Sequence, residues 1–94
     1  MVQHREATFS YDPMIYDVMR ESANYLKGTY SHLADLAEDP KIKAALMETV
    51  WQIGREVEEV NASDMQAVES KSREFTQRLQ YISNAGKKLK RAAA

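Results

Sequence analysis

The side chains of this chain that could do chemistry are two histidines, fourteen carboxylates and a scatter of hydroxyl groups. Nucleophilic catalysis needs a base within hydrogen-bond reach of the nucleophile and a third group that orients the base. His32 and Asp35 are three residues apart on a predicted helix, so they share a face and could form a hydrogen bond. His4 lies in the N-terminal arm, far from any such arrangement. The pattern indicates a surface pair, not a catalytic dyad.

Metal and phosphate chemistry lack their usual residues in this sequence. There is no cysteine, which excludes thiolate catalysis, disulfides and cysteine-based zinc sites. The Glu-x-x-His pattern of helical di-metal proteins does not occur. The three glycines stand alone at positions 28, 54 and 86, so no glycine-rich phosphate loop is formed. Glu56, Glu58 and Glu59 fall on the polar arc of a predicted helix and are expected to be solvated. We therefore expect no enzyme, no cofactor, no metal and no small-molecule substrate.

Charge is distributed unevenly along the chain. Residues 1–86 hold all fourteen acidic residues but only nine of the thirteen basic ones, a net charge of −5. The last eight residues supply four cations, Lys87, Lys88, Lys90 and Arg91. This basic tail could contact phosphates in a salt-sensitive, sequence-independent way, which makes a weak nucleic-acid-binding regulator the third functional hypothesis. The net negative charge of residues 1–86 would repel phosphates, which argues against this hypothesis. Neither a signal-peptide core nor a membrane-spanning apolar run occurs, so we predict a cytoplasmic protein.

Turn signals divide the chain into three predicted helices. Asp12-Pro13 and Asp39-Pro40 are typical helix starts, with aspartate as N-cap and proline in the first turn. Ser63 to Gln66 matches a capping box, and Asn84-Ala-Gly86 favours a helix end. The predicted helices lie near 13–38, 40–61 and 64–85. The apolar spacing keeps its phase across Gly28, which favours a single first helix over two shorter ones.

Apolar residues recur at spacings of three and four in all three segments, and strand patterns are absent. With short connections, this predicts an all-α, up-down-up three-helix bundle that self-associates. We divide the chain into a flexible N-terminal arm at 1–11, a bundle domain at 12–86 and a basic tail at 87–94. The strict seam from Met65 to Leu89 also permits packing between copies, so a self-assembling structural subunit is the second functional hypothesis.

The second predicted helix carries more apolar surface than one neighbour can cover. Beside its main stripe it presents Met47, Trp51 and Gly54, and the apolar arc extends over roughly 240°. Two interpretations remain open. The helix could be the middle one of the bundle, with Trp51 at the core edge and Gly54 giving room, or these residues could form a face for a partner or a second copy.

The first predicted helix is rich in tyrosine. Tyr16 and Tyr25 flank its apolar stripe, where tyrosine suits either a bundle edge or a recognition surface. The leading hypothesis is a small non-enzymatic interaction module (a regulator, adaptor, antitoxin-like or immunity-like protein) that docks on another protein, on itself, or on both. Its candidate interface residues are Met47, Trp51 and Gly54, with Tyr16 and Tyr25 behind them.

Overall fold

A computed structural model describes the backbone of residues 11–93 and the side chains of residues 11–85. The described part contains three α-helices: α1 at Pro13–Leu36, α2 at Pro40–Glu59 and α3 at Met65–Ala93. The all-α three-helix fold predicted from the sequence is confirmed. Residues 1–10 of the predicted N-terminal arm lie outside the described part of the chain.

Local capping sets the starts of the helices. The carboxylates of Asp12 and Asp39 accept hydrogen bonds from the backbone N–H groups of Met14 and Lys41, at 3.0 and 2.9 Å. Both predicted aspartate-proline starts are therefore confirmed. The predicted capping box of α3 is not formed, because Asp64 takes the capping role from Ser63 and accepts from the N–H of Ala67 at 3.2 Å. Aspartate adds a negative charge at the positive end of the helix, which serine cannot supply.

The helices differ from their predicted extents mainly at the end of α3. The first helix runs unbroken through Gly28, as the phase of its stripe predicts. The third does not end at Gly86 but continues to Ala93. A glycine inside a helix costs only about 1 kcal/mol relative to alanine, and the residues after it are good helix formers. The backbone of residues 87–93, which were predicted to be part of a basic tail, therefore belongs to α3, while the side chains of Lys87, Lys88, Lys90 and Arg91 lie outside the described part.

The central element is α1, which packs against both α2 and α3. Of the two interpretations of the second helix, the one that makes it the middle helix of the bundle is therefore wrong. Antiparallel α1 and α2 are joined by a short turn, whereas α1 and α3 run in the same direction. The hydroxyl of Tyr11 donates to the carbonyl of Ala62 at 2.6 Å, and Ser22 and Thr76 share a 3.5 Å hydrogen bond further along. Burial is the main cause that raises the pKa of Tyr11.

The core lies in the half of the bundle nearer the α2–α3 turn. Six buried side chains form it: Met19, Ala23, Leu26, Ile53, Val68 and Phe75. Within α1 and α3 their positions follow the three- and four-residue apolar spacings predicted from the sequence. Towards the α1–α2 turn the burial declines, and Leu36 and Ile42 are 64% and 54% exposed. Among residues 11–93, no helix is both long and apolar enough to cross a bilayer.

Candidate partner-binding face

Trp51 projects from α2 into solvent. Its side chain is 60% exposed, so it is not part of the core of a single chain. Met47, one turn before it, is half-buried, and so is Gly54, three residues after it. Residues three and four apart are neighbours on a helix surface, so the three form one continuous strip. We call Met47, Trp51 and Gly54 the Trp51 strip.

A shallow groove of about 190 Å³ runs along the α1–α2 contact beside the Trp51 strip. Its lining residues are Arg20, Asn24, Lys27, Gly54, Val57 and Glu58. A Cβ atom added to Gly54 would meet no heavy atom within 4 Å. The glycine therefore does not serve a close crossing of α1 and α2, nor does it make room for the indole. It leaves the floor of the groove open.

The charges of this groove are mainly unpaired basic groups. Arg20 and Lys27 line it from α1, and among the described residues neither takes part in a salt bridge. Glu58 lies at the same groove and contributes one negative charge. A groove with two unpaired cations that meets the Trp51 strip at Gly54 suits a partner segment that offers an apolar side chain and carboxylates.

The two candidate tyrosines of α1 have different environments. Tyr16 is half-buried and packs against the core cluster. Tyr25 is 67% exposed. It follows Asn24, which lines the groove, so the helix turns Tyr25 away by about 100°. The structure therefore places Tyr25 on a different surface from the Trp51 strip.

A charged cluster that the sequence interpretation missed joins α2 to α3. Glu56, expected to be solvated with Glu58 and Glu59, has a side chain only 17% exposed. It accepts from Lys71 at 3.1 Å and from Arg78 at 2.9 Å. Both cations also bind Glu74 and lie over the ring of Phe75, at 5.5 and 5.7 Å from its centroid. We call Glu56, Lys71, Glu74 and Arg78 the α2–α3 clamp.

The clamp shifts the ionisation of its members. Burial alone raises the pKa of Glu56, but the hydrogen bonds and charges of Arg78 and Lys71 outweigh it and lower that pKa below 4.5. Burial likewise lowers the pKa of Lys71, yet its bonds to Glu56 and Glu74 raise it above 10.5. One signal was present in the sequence: Lys71 and Arg78 are seven residues apart and flank Phe75, so they lie on one side of α3.

The groups considered for catalysis do not assemble into a reactive site. His32 and Asp35 are both exposed on α1, and no hydrogen bond joins them among those of residues 11–85. Within the same part of the chain, no group of three or more potential metal ligands converges. Comparisons with models of protein families, with characterised proteins and with solved structures found no match to this chain.

Proposed function

We propose that this protein is a non-enzymatic interaction module that docks on another protein through the Trp51 strip and the adjoining groove. The observation that carries the proposal is the exposure of Trp51, at 60%, beside a groove that Gly54 leaves open. The fold gains little from either residue. Tryptophan is enriched among the few residues that carry most of the binding energy of protein interfaces.

The charges at the groove indicate the chemistry of the partner. Arg20 and Lys27 have no carboxylate partner within the described residues, so an incoming acidic segment would pair with them. The apolar part of that segment would cover the indole and enter the space above Gly54. We therefore infer a partner that presents carboxylates and an apolar side chain on one short segment, such as an amphipathic helix.

A site-specific photo-cross-linking experiment in cells tests this function. A cross-linking amino acid placed at position 51 is expected to capture a discrete partner. The same group placed at Tyr81, which is 76% exposed on α3, is the matched control. Lys27→Glu should abolish capture at position 51, because it repels an acidic segment.

Two outcomes would contradict the proposal. Equal capture at positions 51 and 81 would show that the Trp51 strip has no preference for a partner. Capture that persists in both Lys27→Glu and Gly54→Leu would show that the groove is not used. Far-UV circular dichroism of each variant, compared with the unmodified chain, establishes that the helices remain intact.

A further inference from the structure

A second exposed surface follows the outer side of α1. At one edge of it, Val18 also lines a groove with Glu69 and Arg73 of α3. Seven exposed residues recur along it at alternating spacings of four and three: Met14, Val18, Glu21, Tyr25, Gly28, His32 and Asp35. We call them the α1 seam. This spacing is how a helix presents a continuous strip to another helix that crosses it at a shallow angle. Within the described chain the strip has no such neighbour, since α2 and α3 occupy the other sides of α1.

We propose that the α1 seam binds the α1 seam of a second copy of this chain, with the two helices antiparallel. A two-fold axis makes each contact occur twice, so the strip must be complementary to itself. We choose the register that sets Tyr25 opposite Gly28 of the second copy. The same register also sets Glu21 opposite His32 of the second copy. The reason is that the midpoint between residues 21 and 32 is the same as the midpoint between residues 25 and 28, and the two-fold axis passes through it.

The pair Tyr25 and Gly28 matches in size. Tyr25 offers a ring that is 67% exposed. Gly28 has a helical backbone, and a Cβ atom added there would meet nothing within 4 Å. The fold of one chain therefore does not require glycine at this position. A glycine one turn from an exposed tyrosine leaves a notch that the tyrosine of a second copy can enter, with little loss of side-chain freedom.

The pair Glu21 and His32 matches in charge and hydrogen bonding. Neither side chain has a hydrogen bond or salt bridge among the described residues, so both are free for an intermolecular contact. An imidazole can donate to a carboxylate whether it is neutral or protonated. A parallel pairing would instead set Glu21 against Glu21 and Tyr25 against Tyr25, which brings like charges and bulky rings together. The antiparallel arrangement is the one that the residue types favour.

The next pair of residues along the α1 seam limits the strength of the dimer. In the same register Val18 faces Asp35 of the second copy, a pair that adds no attraction. We therefore expect a weak dimer. This surface does not include the Trp51 strip, although Asn24, which lines the groove, is a helix-surface neighbour of Glu21 and Gly28.

Sedimentation equilibrium over a range of concentrations tests the proposal. The unmodified chain is expected to pass from monomer to dimer as its concentration rises. Tyr25→Ala should weaken the dimer by about tenfold or more, a loss of at least about 1.4 kcal/mol. Tyr81→Ala, which removes another exposed tyrosine, should leave the dissociation constant unchanged. Gly28→Ala should weaken the dimer although it stabilises the helix, which separates dimerisation from folding.

A charge exchange tests the register directly. Glu21→His and His32→Glu should each weaken the dimer, because they oppose two imidazoles or two carboxylates. The double variant should restore the affinity, because every histidine again faces a glutamate.

Spin labels attached at Asp17→Cys test the relative direction of the two α1 helices, since this chain contains no other cysteine. Antiparallel helices separate the two labels by about 28 Å along the axis, whereas parallel helices set them side by side.

Three results would overturn the proposal. They are a monomer at every concentration up to the millimolar range, a dimer that Tyr25→Ala and Gly28→Ala leave unchanged, and labels at position 17 that lie side by side. Failure of the charge exchange to restore affinity would exclude the stated register. None of these results depends on whether the Trp51 strip binds a different protein.

Discussion

Glycine and tryptophan in α2 have separate structural effects, although they are three residues apart. Gly54 weakens the helix without relieving any contact, since its Cβ position is empty. Trp51 contributes little packing, because more than half of its side chain faces solvent. The sequence alone left core and interface interpretations of Trp51 open. The structure removes it from the core of the single chain, and its role at an interface stays a prediction.

Replacing Gly54 by alanine should stabilise the protein. The substitution removes backbone freedom from the unfolded chain and fits the helix without a clash, so we expect a gain of about 0.5–1 kcal/mol in the free energy of unfolding. For a domain of this size that corresponds to a rise in Tm of about 4–8 °C per kcal/mol. Thermal denaturation followed by circular dichroism measures it. An unchanged or lower Tm would mean that Gly54 has a structural role in the free protein.

Truncating the two large aromatic residues Trp51 and Phe75 should have unequal effects. Phe75 is fully buried, so Phe75→Ala removes core packing and should cost about 3–5 kcal/mol. Trp51→Ala should cost less, at most about 2 kcal/mol, because most of its surface is already hydrated. Urea denaturation of both variants gives the comparison. A large loss for Trp51→Ala would return the indole to a packing role and contradict the proposed docking role.

At the scale of elements, the starts of the helices could be predicted from the sequence, but which helices pack against each other could not. Each start depends on a few adjacent residues, such as Asp12 and Asp39, whose preference for the N-cap is local. The end of α3 was missed because Gly86 carries a strong local stop signal that the surrounding helix formers override. The central position of α1 could not be deduced, since a broad apolar arc on α2 fits either two neighbours or one neighbour and an exposed surface.

The α2–α3 clamp should make stability depend on pH at both ends of the scale. Glu56 has a lowered pKa in the folded state, so its contribution is present above about pH 4.5 and is lost as the pH falls through the lowered value. Lys71 has a raised pKa, so its contribution is present below 10.5 and is lost as the pH rises through the raised value. We expect a plateau of stability between these limits.

Glu56→Gln isolates the acidic limb of that profile. It should lower the free energy of unfolding by about 1–3 kcal/mol at neutral pH, because it removes the carboxylate that Lys71 and Arg78 share. The deficit should shrink as the pH falls through the lowered pKa of Glu56, where the native glutamate is protonated as well. Glu58→Gln, an exposed neighbour on the same helix, is the control and should change little. A pH-independent deficit would show that charge is not the cause.

At the scale of the whole molecule, the fold class could be predicted from the sequence, but which exposed residues share a surface could not. Three amphipathic helices with short connections must bury their stripes together. The positions of the exposed residues do not follow from this requirement. Trp51 and Tyr25 were both candidate interface residues, yet they lie on different helices, and Tyr25 does not line the groove at Gly54. That separation depends on which side of α1 each neighbour occupies, and helical periodicity alone does not give this.

The parallel course of α1 and α3 also has a kinetic consequence. Their hydrogen bonds join residues 51 and 54 positions apart, whereas α1 and α2 meet across a short turn. Because closing a long loop costs more entropy than closing a short one, we expect the α1–α2 hairpin to form first and α3 to dock later. Stopped-flow measurements should then show that Ile53→Val mainly slows folding, while Val68→Ala mainly accelerates unfolding. The opposite pattern would mean that α3 is already docked in the transition state.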